Sequence, residues 1–173
     1  MTTKEFLNVL ANGKSDILQL LLDILKSENI NYCVIGGLAV NAFVEPVVSL
    51  DLDIVVATAE LEKLQAVAGR KFEIKEFPHS FNLYSQDSDL RIQVQTNERY
   101  QDFVNRAQEH QVLGYTMKVA CLEDILKGKI WAYSDGQRRK SKRQKDLADI
   151  TRIIEAFPEL ESELTDEVRQ KIL

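Results

Sequence analysis

The chain has 173 residues, 45% of them hydrophobic, and a formal net charge of −5 at neutral pH. This length and apolar content favour one compact unit that folds without disulfides or a structural metal. The acidic balance excludes attraction to nucleic acid through net charge, although a local basic patch is still able to bind it.

The sequence shows no sign of secretion or of a membrane partner. Residues 1–6 lack the apolar core of a signal peptide, and the longest apolar runs are too short to cross a bilayer. Cys33 and Cys121 stand in apolar segments without paired spacing, which indicates buried thiols rather than a disulfide or a zinc site. We therefore expect a soluble, cytoplasmic protein, and the sequence leaves its oligomeric state open.

Hydrophobic periodicity predicts alternating helices and strands up to residue 119. In chain order these are a helix over 15–26 capped by Ser15, a strand over 32–35, a helix over 38–43, a strand over 52–56, a helix over 58–68 capped by Thr58, strands over 72–77, 81–85 and 90–95, a helix over 97–108, and edge strands over 111–113 and 115–119.

From residue 120 onward the pattern becomes helical. We predict helices over 122–131, 146–157 and 165–173, with a polar, basic loop over 134–141. The fold class is therefore α/β of the α+β type. Residues 1–119 form the predicted core, and residues 120–173 form a C-terminal helical region packed on it, as a single compact unit.

Asp51 and Asp53 are the most informative residues, because they alternate along a predicted strand. Residues i and i+2 of a strand point to the same side, so both carboxylates face together. Two carboxylates about 4 Å apart repel by roughly 1 kcal/mol in water and about 4 kcal/mol at an effective dielectric of 20, so the pair favours a divalent cation. Oxygen ligands with open water positions suit Mg²⁺ or Mn²⁺. The alternative is a solvated strand end whose aspartates cap the next loop.

Gly36 and Gly37 follow one predicted strand and precede a predicted helix. Such a turn lets backbone N–H groups approach phosphate oxygens, and the helix start adds about 0.3–1 kcal/mol toward an anion. That is too little to hold a triphosphate alone, so the turn would position one that a metal also binds. The alternative is a tight strand-to-helix turn with no ligand.

Gly36-Gly37, followed by Ser49-Leu-Asp51-Leu-Asp53-Ile-Val-Val, resembles the signature of the polymerase-beta-like nucleotidyltransferase superfamily. The tail segments 119–132 and 143–150 resemble the helical part of its AbiEii-like branch, which includes abortive-infection toxins.

This resemblance implies a small mixed sheet with helices packed on it, followed by a C-terminal helical part. It also implies transfer of a nucleotidyl group from an NTP to an acceptor hydroxyl on RNA, a protein or a small molecule, with release of pyrophosphate. Asp51 and Asp53 would hold Mg²⁺ or Mn²⁺, one ion at the triphosphate and one at the attacking hydroxyl. Gly36 and Gly37 would contact phosphate oxygens, and Ser49 would add a hydroxyl contact.

Two positions depart from the family pattern. Gln93, which we place in the catalytic set with Asp51 and Asp53, stands where the superfamily usually has a third carboxylate. A Gln side chain neither acts as a base nor balances charge. Val47 stands where the branch often has an Arg that contacts phosphate. The alternative to an active enzyme is therefore a degenerate relative that binds nucleotide or a partner without turnover, in a toxin–antitoxin pair or outside one.

Arg91 shares a strand face with Gln93. It either binds a phosphate of the nucleotide or pairs with Asp51 or Asp53 in place of a metal. Both interpretations put a cation beside the carboxylates, and only the second argues against catalysis.

Several charged residues of the tail are further candidates. The branch tends to keep a Lys near the site, so we assign Lys129 to nucleotide binding, with a solvated helix face as the alternative. Asp149 has the helical spacing for a pair with Lys145, and Asp146 is expected to organise the packing of the tail. The basic run 138–143 either grips phosphates or forms a solvated, mobile loop, and the lack of interleaved aromatic residues favours the loop.

Overall fold

The computed structural model describes residues 1–173, with eight α-helices and seven strands. The helices are α1 (Thr3–Leu10), α2 (Ile17–Ser27), α3 (Gly36–Val40), α4 (Leu61–Ala68), α5 (Gln101–Arg106), α6 (Leu122–Ser134), α7 (Lys140–Ala156) and α8 (Asp166–Ile172). The strands are β1 (Tyr32–Ile35), β2 (Asp51–Val56), β3 (Glu73–Phe77), β4 (Ser80–Ser85), β5 (Ser88–Gln95), β6 (Gln108–Val112) and β7 (Tyr115–Val119). Short 3₁₀ helices cover Thr58–Glu60, Glu98–Tyr100 and Pro158–Glu163.

The seven strands form one mixed sheet in the order β3-β4-β5-β2-β1-β7-β6. β1 is buried along its whole length, as expected for a central strand covered on both faces. β2 runs antiparallel to β1 and parallel to β5. This register places Asp51 opposite Arg91, and Asp53 opposite Gln93. Residues from two separate parts of the chain therefore meet on one face of the sheet.

The helices cover the sheet because their apolar sides match its buried faces. One cluster of 46 buried residues extends from Leu7 in α1 to Val168 in α8, so the C-terminal helices share the core of the sheet. α6 and α7 pack against each other and against α3, which begins at the end of β1. This packing brings the charged sides of α6 and α7 over the start of β2. The boundary at residue 119 stays a prediction.

The predicted α+β fold class is confirmed, and several element boundaries are corrected. α1 was not predicted; it begins with a capping box in which Thr2 and Glu5 bond each other's backbone N–H groups. Asp16, rather than Ser15, caps α2 by accepting from the Gln19 N–H at 3.0 Å. Thr58 starts a 3₁₀ turn and makes no side-chain cap, and its backbone N–H donates to the side chain of Gln101.

Two larger errors lie near the ends of predicted helices. The helix predicted over 97–108 ends at Arg106, and residues 108–112 instead form β6, since they pair with β7. The helix predicted over 146–157 begins six residues earlier, at Lys140. This second error matters for the site, because it turns part of the basic run into the first turns of α7.

The two cysteines differ in burial. Cys33 is fully buried, and burial raises the pKa of its thiol to about 12. Cys121 is only half-buried, so the prediction of two buried thiols is wrong for that residue.

No helix combines the length and the apolar character that a bilayer crossing requires.

Candidate active site

Asp53 is the most unusual carboxylate in the molecule. It lies on β2, half-buried, and its side chain approaches the backbone of Gly36 so closely that a Cβ there would be 2.5 Å from Oδ2. No side chain or backbone N–H donates a hydrogen bond to it, and it forms no ion pair. Burial raises the pKa of Asp53 and the nearby Asp51 adds to this, whereas Lys129 is the main opposing influence. Burial of this carboxylate therefore costs free energy of folding, and its oxygens stay free to bind a ligand.

Asp51, in contrast, contacts a cationic side chain with each of its two carboxylate oxygens. Arg91 Nε lies 2.7 Å from Oδ1, and Lys142 Nζ lies 3.0 Å from Oδ2. Of the two possibilities for Arg91, the structure shows the ion pair with Asp51. Ser49, before β2, accepts a hydrogen bond from the Asp51 N–H at 3.2 Å and so fixes the start of the strand.

Gln93 continues the polar row across the sheet. It lies opposite Asp53 on one side and opposite Asn82 of β4 on the other. Its Nε2 donates to Ser80 Oγ at 3.1 Å, which leaves its carbonyl oxygen free. Asn82 Oδ1 is buried and has no hydrogen-bond partner. The row thus offers neutral oxygens beside the carboxylates, in place of a third acidic group.

Lys129 joins α6 to α7 through a buried ion network. Its Nζ lies 3.0 Å from Asp146 Oδ1 and 2.7 Å from Asp149 Oδ2. Arg138 pairs with the other oxygen of Asp146 at 2.7 Å, and Arg152 pairs with Asp149 at 2.8 Å. Burial alone would lower the pKa of Lys129, but the two carboxylates raise it, so the ammonium stays charged. Lys129 is therefore not on a solvated helix face.

Two predictions about these charges are wrong. Asp149 pairs with Lys129 and Arg152 rather than with Lys145, because the packing of α6 against α7 brings Lys129 closer. The basic run 138–143 is not a solvated loop. Arg138 and Lys142 bind the carboxylates described above, and Arg143 Nε donates to the Tyr133 carbonyl at 2.6 Å.

These residues surround a divided cleft. Its first part, about 250 Å³, is lined by Gly37, Ser49, Asp51, Asp53, Asn82, Arg91, Gln93, Lys129, Arg138, Lys142, Lys145, Asp146 and Asp149. Its second part, about 290 Å³, adjoins Gly36, Ser80, Gln95, Asn97, Arg99 and Tyr100. Asp53, Gln93 and Lys129 line both parts. All eight predicted site residues thus lie at this cleft, and their individual roles stay predictions.

Sequence reasoning missed Lys142 and Asn82 as cleft residues. Lys142, Lys145 and Asp149 recur at the three- and four-residue spacing of one helix face, a signal that the predicted helix start at residue 146 concealed. Asn82 shares a strand face with Ser80 and Tyr84, but no sequence feature distinguishes it. Val47, at the position where the family pattern often has Arg, is 54% exposed and lines neither part of the cleft.

Gly36 gives a direct test of the turn beneath Asp53. Its φ of +74° lies in the left-handed region, and any Cβ would displace the Asp53 carboxylate, so we expect Gly36→Ala to lower stability by about 1–2 kcal/mol. Nucleotide-dependent thermal stabilisation should also decrease. Gly37→Ala is the matched control for stability, since its nearest neighbour would be Asp149 Oδ2 at 3.6 Å. Equal stability of both variants in urea unfolding would contradict this role of Gly36.

The fold is shared with known nucleotidyltransferases. The lincosamide antibiotic adenylyltransferase LnuA, solved with lincomycin bound, matches with a TM-score of 0.56 and 14% identity over 82% of this chain and 98% of that chain. ANT(2'')-Ia, in complex with adenylyl-2''-tobramycin, matches with a TM-score of 0.63 and 14% identity over 90% and 94%. An antigenic nucleotidyltransferase-like protein from Paracoccidioides brasiliensis matches with a TM-score of 0.54 and 20% identity over 98% and 86%. The class is therefore that of the nucleotidyltransferase fold.

The amino-acid sequence assigns the chain to one family within this fold. Residues 39–172 match the family described as nucleotidyl transferase AbiEii toxin, type IV TA system, and the chain belongs to that family. The predicted family resemblance is thereby confirmed. The match begins after Gly36-Gly37 and includes β2, β5, α6 and α7. The sequence has no significant match among curated proteins.

Proposed function

We propose that this protein transfers a nucleotidyl group from an NTP to an acceptor hydroxyl, with a divalent cation held beside Asp53. The acceptor oxygen forms a bond to the α-phosphorus, the bond from that phosphorus to the bridging oxygen breaks, pyrophosphate leaves, and the hydroxyl proton passes to water. The observation that carries this proposal is the free, half-buried carboxylate of Asp53 at the junction of the two parts of the cleft.

The residues present fit a magnesium ion that arrives with the triphosphate. Mg²⁺ is usually bound through one or two carboxylates plus substrate phosphates, and here Asp53 offers free oxygens with Asp51 on the same strand face. The chain has no group of three or more His, Cys, Asp or Glu side chains able to hold a metal alone. When bound, the ion would stabilise charge on the transferring phosphate.

The cations of the first part of the cleft suit the triphosphate. Lys145 lines this part and has no ion pair, whereas Arg91 and Lys142 share a single carboxylate. A triphosphate that enters the first part of the cleft would meet Arg91, Lys142 and Lys145. The carbonyl oxygen of Gln93 has no hydrogen-bond partner, and we assign to it the role of accepting a hydrogen bond from the acceptor hydroxyl.

Ligand binding is the first test of this proposal. A thermal shift with Mg²⁺ or Mn²⁺ and each of the four NTPs should give a stabilisation of about 2.7 kcal/mol at a hundred times Kd. The same concentrations of the corresponding nucleosides serve as the control, because they lack the phosphates that the cations recognise. No stabilisation by any NTP would contradict both nucleotide binding and transfer.

A degenerate, nucleotide-binding protein is the second candidate function. The ion pairs on Asp51 and the amide at Gln93 favour it, because they reduce the negative charge available to metal ions. Incubation with α-labelled NTPs and cell extract separates the two candidates. Incorporation of label into RNA, protein or a small hydroxylated molecule supports transfer and identifies the acceptor class, and binding without incorporation supports the second candidate.

Family membership extends the proposal to a toxin role. If transfer onto a cellular acceptor inhibits growth, induced expression in a bacterial host should slow growth, and Asp53→Asn should abolish the effect at equal protein levels. Inhibition that persists with Asp53→Asn would show that any toxicity does not depend on this site.

A further inference from the structure

Asp51 is neutralised by the protein's own cations. Its Oδ1 lies 2.7 Å from Arg91 Nε and its Oδ2 lies 3.0 Å from Lys142 Nζ, so both oxygens carry a charge-assisted contact. The two cations come from β5 and α7, which are separate elements, and they approach the carboxylate from different sides. A metal ion bound to either oxygen of Asp51 would therefore lie next to a cationic nitrogen that already contacts that oxygen.

We propose that Arg91 and Lys142 take the place of a second divalent ion, so that this active site works with a single ion beside Asp53. This inference rests on the proposed nucleotidyl transfer and specifies its metal content. It differs from the two-ion arrangement that the family resemblance implies, in which both aspartates bridge two ions.

The local charges support one ion rather than two. Asp51 and Asp53 bring two negative charges, and Arg91 and Lys142 bring two positive charges, both of them at Asp51. The position that would supply another negative charge holds Gln93, whose Nε2 is engaged with Ser80. Asn82 adds only a neutral oxygen. A second divalent ion at Asp51 would lie beside the positive charges of Arg91 and Lys142, which repel it, whereas an ion beside Asp53 meets no paired cation.

The other charged side chains of the cleft are either paired with one another or positive. Lys129 and Arg138 are paired with Asp146 and Asp149 at 2.7–3.0 Å. Lys145 faces the cleft without a partner and adds positive charge. Asp53 is therefore the only carboxylate near Asp51 that no cation of the protein pairs with before a metal binds.

The number of bound ions tests the inference directly. Mn²⁺ is titrated, with free Mn²⁺ followed by electron paramagnetic resonance, in the presence of saturating α,β-methylene ATP, GTP, CTP or UTP. We expect one Mn²⁺ per protein–nucleotide complex for the natural sequence. The triple variant Arg91→Gln, Lys142→Gln, Gln93→Asp should bind two, because it frees Asp51 and restores a third carboxylate.

Control variants keep the overall charge equal without touching Asp51. Arg70→Gln and Lys140→Gln replace exposed cations that form no ion pair, and together with Gln93→Asp they should still give one Mn²⁺. The side chains of Arg91 and Lys142 are 59% and 31% exposed, so their replacement should leave the fold intact, which a thermal melt verifies.

The outcomes separate this inference from the proposed function. Two Mn²⁺ per complex in the natural sequence would overturn the single-ion inference while leaving nucleotidyl transfer in place. Failure of every analogue to bind would remove the proposed function and this inference with it. One Mn²⁺ in the natural sequence and two in the triple variant would establish that Arg91 and Lys142 exclude the second ion.

Discussion

Replacing Asp53 by Asn is expected to reduce nucleotidyl transfer at least about 100-fold, a loss of roughly 2.7 kcal/mol of transition-state stabilisation. Asn keeps the shape of the side chain but supplies a single neutral oxygen where a carboxylate would face the cation. The measurement is the rate of label transfer from an α-labelled NTP to the acceptor found in extract. Asp102→Asn, at an exposed position of α5 without an ion pair, makes the same charge change elsewhere and should have no effect.

The same substitution should not destabilise the protein. The pKa of Asp53 is raised by burial, so its ionised form at neutral pH opposes folding, and stability falls as pH rises through the raised pKa. Asn removes this cost, and we expect the free energy of unfolding at neutral pH to be equal or higher. Unchanged transfer, or a clear loss of stability, would show that Asp53 serves the fold rather than the chemistry.

Replacing Lys129 by Met is expected to destabilise the protein by about 3 kcal/mol, because it leaves Asp146 and Asp149 without the ammonium between them. The side chain of Lys129 is only 9% exposed, so solvent cannot replace it. A loss of this size lowers the melting temperature of a chain of this length by about 6–12 °C. Urea unfolding and a thermal melt measure both quantities.

Lys127→Met is the matched control for this experiment. It lies on the same helix, is exposed and has no ion pair, so its stability should change by less than about 0.5 kcal/mol. Adding Asp149→Asn to Lys129→Met should restore part of the lost stability, since one uncompensated carboxylate disappears. If Lys129→Met is as stable as the control, Arg138 and Arg152 alone neutralise the two carboxylates.

The sequence predicted the parts of the site that are close together in the chain. Asp51 and Asp53 alternate along a strand, and strand periodicity alone places them on one face. Gly36 follows a strand that is buried along its length, and its positive φ is the conformation for which glycine is suited. β5 alternates buried and more accessible residues, so Arg91 and Gln93 were assigned to one face correctly.

The contacts between distant segments were not predictable in this way. Lys142 and Asp51 are 91 residues apart, and their contact depends on how α7 packs over the sheet. The pairing of Lys129 with Asp149 likewise follows from the packing of α6 on α7, whereas local helical spacing indicated Lys145. α1 was not predicted although its apolar residues follow helical spacing; it is only eight residues long, and only Leu7 is buried in it.

α7 carries Lys142, Asp146 and Asp149 on successive turns of one face, so this one helix contacts both Asp51 and Lys129. A shift of α7 by a fraction of an ångström would therefore alter the electrostatic potential around both aspartates of β2. Substitutions that move α7 from its outer surface should therefore change transfer even though they leave every residue of the cleft unaltered.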